Sequence, residues 1–218
     1  MDMPDDLPPP ERPPTLRERK RRRTRRALIE AAVDLFDRRG YEQTTVAEIA
    51  AAAKVSTRSF FSYFGSKEEI LFPDRESRVQ LAADAIAARQ PGQGPAEVLA
   101  AALQRVLAAD TATASRIAMV RLRLVLEVPA VRGRCLQVNF GAQREIAKRL
   151  RAAFPAELDQ FTAASLTGAM AGAMAAVLAE VLGDPARGRE LISGDPGLLR
   201  AELSRAAEVA LRPWVAAG

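Results

Sequence analysis

The sequence predicts an all-α protein: a three-helix helix-turn-helix head at the N-terminus, followed by a larger C-terminal helical bundle. Three observations carry this. Apolar residues recur at helical spacing along most of the chain, and no stretch alternates as a strand would. Capping signatures and Gly/Pro punctuation cut that pattern into segments. The stretch Thr44–Lys67 reads as two short helices joined by a tight turn, an arrangement that places its second helix for a DNA major groove.

Composition narrows the function. The 218 residues, nearly half of them hydrophobic, allow a substantial core. A net charge of +5 and a pI near 10.0 suit a polyanionic partner. There is no histidine and one cysteine, Cys135, which removes most metal sites, His-based triads and any intramolecular disulfide. With no phosphate loop and no Ser-centred elbow either, an enzyme is disfavoured, and neither metal nor cofactor is expected. The cysteine usage fits a reducing cytoplasm, the expected location. Residues 1–14 hold six prolines and mixed charge and lack the apolar core of a signal peptide; they are expected to be a disordered tail.

Thr15 and Glu18 have the spacing of a capping box. Arg17 to Arg26 then holds eight basic residues and one acidic. Such a run is commonly a solvated tail or the start of a helix; ahead of a helix-turn-helix it is read as a DNA arm, with Arg21, Arg22, Arg23 and Arg25 neutralising phosphates and able to enter a narrow minor groove. The first firm helix carries the stripe Leu28, Ala31, Ala32, Leu35 and Phe36 and stops at Gly40. Thr45 and Glu48 form a second capping box before Val46, Ile49, Ala50 and Ala53. Lys54 and Val55 make the turn, and Ser56 caps the next helix. In that helix Phe60 and Phe64 point to the core, leaving Thr57, Arg58, Ser59 and Ser62 on the far face. Arg58 can make a bidentate contact to guanine, and Thr57 can meet thymine or adenine. A small polar face is equally what a solvated bundle helix carries, so this segment alone leaves both readings open.

Ser66 is expected to cap a further helix with Lys67 in its first turn, where a cation and a helix N-terminus together suit an anion; a solvated lysine is the plainer reading. Pro73 should interrupt that helix, with a second run reaching toward Gln90. Beyond the Pro91–Pro95 loop, helices are expected over 96–109, 112–127, 130–154, 157–182 and 196–209. Gln160–Ala179 is uncharged and long enough for a bilayer, but its Ala, Gly, Ser and Thr content makes a helix buried on most sides, and no membrane association, the better expectation. The domain reading is a tail at 1–14, a DNA-binding head with its basic arm at 15–72, and a ligand-binding and dimerisation domain at 73–218.

From Leu16 to Leu71, about a quarter of the chain, the sequence resembles the DNA-binding domain of the TetR/AcrR transcriptional regulators. Carrying the resemblance are Arg23–Tyr41 (RTRRALIEAAVDLFDRRGY), Thr44–Ala50 (TTVAEIA), Val55–Phe64 (VSTRSFFSYF) and Ser66–Leu71 (SKEEIL), in the family's order and spacing. Two positions depart: Lys54 stands where the family usually has Gly, and Phe61 where it usually has Tyr. The first implies a strained but tolerated backbone. The second removes a phosphate-contacting hydroxyl and leaves a ring able to meet a thymine methyl.

The resemblance implies a homodimeric regulator, a repressor released from a palindromic double-stranded DNA operator by a small-molecule effector. It adds Thr45, Ser56, Phe61, Tyr63 and Lys67 to Thr57, Arg58 and Ser59 as DNA-facing residues. It implies an effector cavity among the central helices, for which Met119, Leu122, Val125, Phe140, Met170 and Met174 are apolar candidates and Arg123 or Arg121 a partner for an acidic group. It places a dimer interface on the small-residue stripe Ala164, Gly168, Gly172 and Ala176, which intrachain packing could equally use. The head is also similar to an actinobacterial branch of the family with some members that sense acyl-CoA-type molecules. The alternative is an effector-independent architectural DNA-binding protein.

Overall fold

The computed structural model describes residues 15–109, 112–184 and 196–215; the tail expected over residues 1–14 lies outside them. The described residues are helical, in the order α1 (Leu16–Arg39), α2 (Val46–Ala52), α3 (Thr57–Phe61), a 3-10 turn (Glu69–Leu71), α4 (Arg75–Ala87), α5 (Pro95–Ala108), α6 (Ala112–Glu127), α7 (Pro129–Ala153), α8 (Gln160–Gly183) and α9 (Pro196–Val215).

The head follows from local chemistry. Both capping boxes form: Thr15 accepts from the Glu18 N–H and Thr45 from the Glu48 N–H, while each glutamate reaches back to its threonine backbone. Gly40 ends α1 at φ +83°, a conformation that glycine adopts without the strain other residues would carry. Lys54 carries φ +58° in the turn between α2 and α3, the left-handed conformation that glycine would adopt without strain. Leu28, Ala32, Phe36, Ile49, Ala50, Phe60 and Phe64 bury the interior of the three helices.

Two features of the head differ in form from the simplest expectation. The basic run read as a DNA arm takes the form of a helix start: α1 begins at Leu16, so Arg17–Arg26 are its first turns, capped by the Thr15–Glu18 box and tied by an Arg26–Glu30 pair at 2.7 Å. Ser66 does not start an α-helix. Its hydroxyl accepts from the Glu69 N–H at 3.3 Å, but one 3-10 turn follows before Pro73, and α4 starts at Arg75.

Packing crosses the boundary drawn at residue 72. The head's core continues into α6 and the first half of α7 through Ile117, Val120, Leu124, Val131 and Val138. A second core gathers α4, α5, the end of α7, α8 and α9 around Ile86, Leu99, Leu150, Leu166 and Leu211. Charges reinforce the first union. Arg116 and Arg123 on α6 pair with Asp34 at 2.6 Å and Asp37 at 3.1 Å on α1, and Arg121 donates to the Leu71 carbonyl at 3.1 Å.

α8 departs from the helix buried on most sides. Ala163, Leu166, Thr167, Met170 and Val181 bury one stripe against α7 and α9, but only 22% of its apolar window is covered. Its start, Gln160, lies three residues later than expected because Asp159 caps it, accepting from the Thr162 N–H at 2.7 Å.

Candidate nucleic-acid interface

α3 (Thr57–Phe61) is short and serves two faces. Ser56 caps it, accepting from the Ser59 N–H at 3.1 Å, and its hydroxyl also meets the Ser59 hydroxyl at 2.9 Å. Phe60 is fully buried and its ring meets the Phe64 ring. This anchors α3 through one side, so Thr57, Arg58 and Phe61 stand out on the other, all exposed. Phe61 is 55% exposed and meets Phe60 edge-on, which fixes its ring at the surface rather than in the core. An exposed aromatic beside a free-standing guanidinium and a threonine can offer an apolar contact and hydrogen-bond donors to base edges. Tyr63 is half-buried at the end of the helix.

The remaining expected contacts divide. Arg21, Arg22 and Arg23 are exposed on α1. Arg25 is turned inward: its guanidinium lies 5.3 Å over the Phe64 ring and donates to the Pro73 carbonyl at 2.6 Å. The Thr45 hydroxyl is engaged with Glu48 in the capping box, though the residue is exposed. Lys67 is the largest difference from the sequence reading. Its ammonium donates to the Tyr41 carbonyl at 2.9 Å and the Thr44 carbonyl at 3.0 Å and lies 3.8 Å from the centre of the Tyr41 ring. It therefore braces the α1–α2 turn from inside. Beside it, Tyr41 donates to Glu68. Burial pushes the Glu68 carboxyl up, but the Tyr41 and Ser66 hydrogen bonds and the Lys67 charge bring it below its usual value. Burial and the Glu68 partner push the Tyr41 phenol up, so it stays protonated. The sequence reading missed this Tyr41–Lys67–Glu68 group, and no local spacing signals it.

The expected effector residues are not brought together. Met170 is buried in the second core and Met174 packs against it, while Met119, Leu122 and Val125 are half-buried on α6. Phe140 is 65% exposed on α7. Arg123 is paired with Asp37 because it lies two turns from Arg116, on the face that α6 turns to α1. A recess of about 1130 Å³ opens elsewhere, at the far end of α4 from the head, lined in part by Arg89, Pro95, Phe154, Thr162 and Trp214. The small-residue stripe of α8 is uncovered: Ala164, Gly172 and Ala176 are exposed, Gly168 is half-buried, and a Cβ added at either glycine would meet nothing within 4 Å.

Fold and surface together define an all-α protein with a helix-turn-helix head, the outer face of its second helix free for DNA. Residues 28–72, the head, match the family described as bacterial regulatory proteins, tetR family. It is 42% identical over 94 residues to the HTH-type transcriptional regulator TcmR of Streptomyces glaucescens, covering 43% of this chain and 42% of that protein. It is 34% identical over 95 residues to the HTH-type transcriptional regulator BetI of Agrobacterium fabrum, covering 43% and 46%. These matches span less than half the length of the relatives. Over nearly the whole fold it is similar to the crystal structure of Thermus thermophilus FadR, a TetR-family transcriptional repressor in complex with lauroyl-CoA, at 27% identity and a TM-score of 0.50, covering 86% of this chain and 91% of that one.

Proposed function

We propose that the protein is a homodimeric, sequence-specific DNA-binding transcriptional regulator of the bacterial cytoplasm, a repressor that a small-molecule effector releases from a palindromic operator. The observation that carries the DNA reading is α3: Phe60, buried within it and packed on Phe64 just beyond it, fixes its phase, and that phase presents Thr57, Arg58 and Phe61 outward. Arg58 reads a base by a bidentate contact, and Thr57 and Phe61 sort thymine from other bases by apolar contact.

The dimer reading is supported by the uncovered stripe on α8. Small residues let a second helix approach closely, and a second copy of α8 and α9 meets that need, whereas a bilayer gains little from alanine and glycine. Two heads then reach half-sites about 34–36 Å apart. The effector reading rests on the similarity to a lauroyl-CoA-bound repressor; an acyl thioester is therefore the first effector class to try. Release follows if the effector favours a dimer whose heads no longer match that spacing. The experiment is selection of bound duplexes from a random pool by the purified protein. A two-fold symmetric motif supports the proposal; binding without an enriched motif favours the architectural alternative.

A further inference from the structure

This inference rests on the DNA-binding reading above and deepens it. α1 turns one face to the core, carrying Leu28, Ile29, Ala32, Val33 and Phe36. Followed toward the N-terminus at about 100° per residue, that face continues through Arg25, Arg22, Arg21 and Glu18. Arg25 is its last residue with protein beneath it, packed on Phe64 and bonded to Pro73. Beyond it the neighbouring elements end and the helix does not. Every residue from Leu16 to Arg23 is exposed, about 12 Å of helix at ~1.5 Å per residue.

That overhang holds Arg17, Arg19, Lys20, Arg21, Arg22 and Arg23, whose like charges one turn apart oppose a helix. It is nonetheless closed by a complete capping box. Its single acid, Glu18, accepts from the Thr15 N–H, and the Arg22 charge helps hold its carboxyl low. The result is a capped basic prong rooted beside Phe64, three residues beyond the end of the recognition helix, with its inner face aligned with the core-facing stripe and uncovered.

We propose that this prong is a second DNA-binding site that takes phosphodiester backbone, not bases. Arg21 and Arg22 on its inner face dock on the duplex flanking the sequence that α3 reads, lengthening each half-site by about 3–4 base pairs at ~3.4 Å per step. Helical phase makes the claim specific. Lys20 and Arg23 lie about 140–160° around the helix from Arg25 and face away. In a flexible arm all these cations would be equivalent; in a helix they are not.

The test compares two charge-matched variants on the duplex selected by the wild-type protein: Arg21→Gln with Arg22→Gln, and Lys20→Gln with Arg23→Gln. Glutamine keeps helix propensity close to that of the residues removed. Affinity is measured against salt concentration. The inner pair should lower the magnitude of the log–log slope by about 1.8, about 0.9 per phosphate contact, while the outer pair leaves it unchanged. Trimming the flanks by four base pairs should abolish the difference. Equal losses from both pairs, or none from either, overturns the prong. A wild-type protein that enriches no sequence would instead sink the DNA-reading function, and the prong with it.

Discussion

Replacing Lys67 with methionine separates an internal brace from a phosphate contact. The side chain keeps its length and loses its charge. Two hydrogen bonds from the ammonium, at 2.9 and 3.0 Å to the Tyr41 and Thr44 carbonyls, disappear, as does the cation over the Tyr41 ring. The site is half-buried, so each hydrogen bond is placed at or just below the low end of the range for charged groups, about 1–1.5 kcal/mol, with roughly 0.5 kcal/mol from the ring. The total is about 3 kcal/mol. For a chain of this size that lowers the melting temperature by about 6–12 °C. Thermal unfolding followed by far-ultraviolet circular dichroism reads it, and DNA affinity at a temperature where both proteins are folded should keep the wild-type salt slope. A melting temperature within 2 °C of wild type (about 0.5–1 kcal/mol), combined with a slope reduced by about one contact, would refute the brace and restore the phosphate clamp implied by the family resemblance.

Other outcomes follow from single residues. Lys54→Gly relieves a left-handed backbone that costs about 1–2 kcal/mol and returns about 0.5–1 kcal/mol to the unfolded chain; its urea midpoint should exceed that of Lys54→Ala, which keeps the Cβ, and equal midpoints would deny the strain. Gly172→Leu enters open space in the protomer, so the fold should persist while a dimer seen by light scattering dissociates; an unchanged dimer would remove the α8 stripe from the interface. The Thr15 and Thr45 backbone and hydroxyl groups hold the Glu18 and Glu48 carboxyls below their ordinary value of 4.5. Depressed folded-state values give stability that is full above 4.5 and lost as pH falls through the folded value. Helicity of the wild type should therefore decline at acid pH more than that of Glu18→Gln with Glu48→Gln, and identical profiles would contradict the capping assignment.

The parts of the molecule legible in the sequence are those set by neighbours in the chain. Thr15 with Glu18, Thr45 with Glu48, and Gly40 announce helix ends because a cap joins groups three or four residues apart. Lys54 in the turn and Phe60 with Phe64 on one face are legible for the same reason. What eluded the sequence depends on distance along the chain. Lys67 reaches a turn more than twenty residues upstream, and Arg116 and Arg123 reach aspartates near the start of the chain, so neither destination is encoded locally. The basic run illustrates a different gap. Its charge suggests an arm, yet α1 continues through it, because arginine and lysine are good helix formers and a cap was available. The composition of α8 suits a buried helix as well as one open along a side; only packing against α7 and α9 separates the two.

The central claim is that α3 reads sequence through its outward face. The direct measurement is the affinity of wild type and Arg58→Ala for the selected duplex and for each single-base variant of one half-site. The account predicts that wild type loses about 1–3 kcal/mol at individual positions, and that Arg58→Ala flattens the profile at one guanine-containing position while preserving the others. A uniform weakening at every position, with no base singled out, would contradict it and leave Arg58 as a phosphate contact on a head that reads no sequence there.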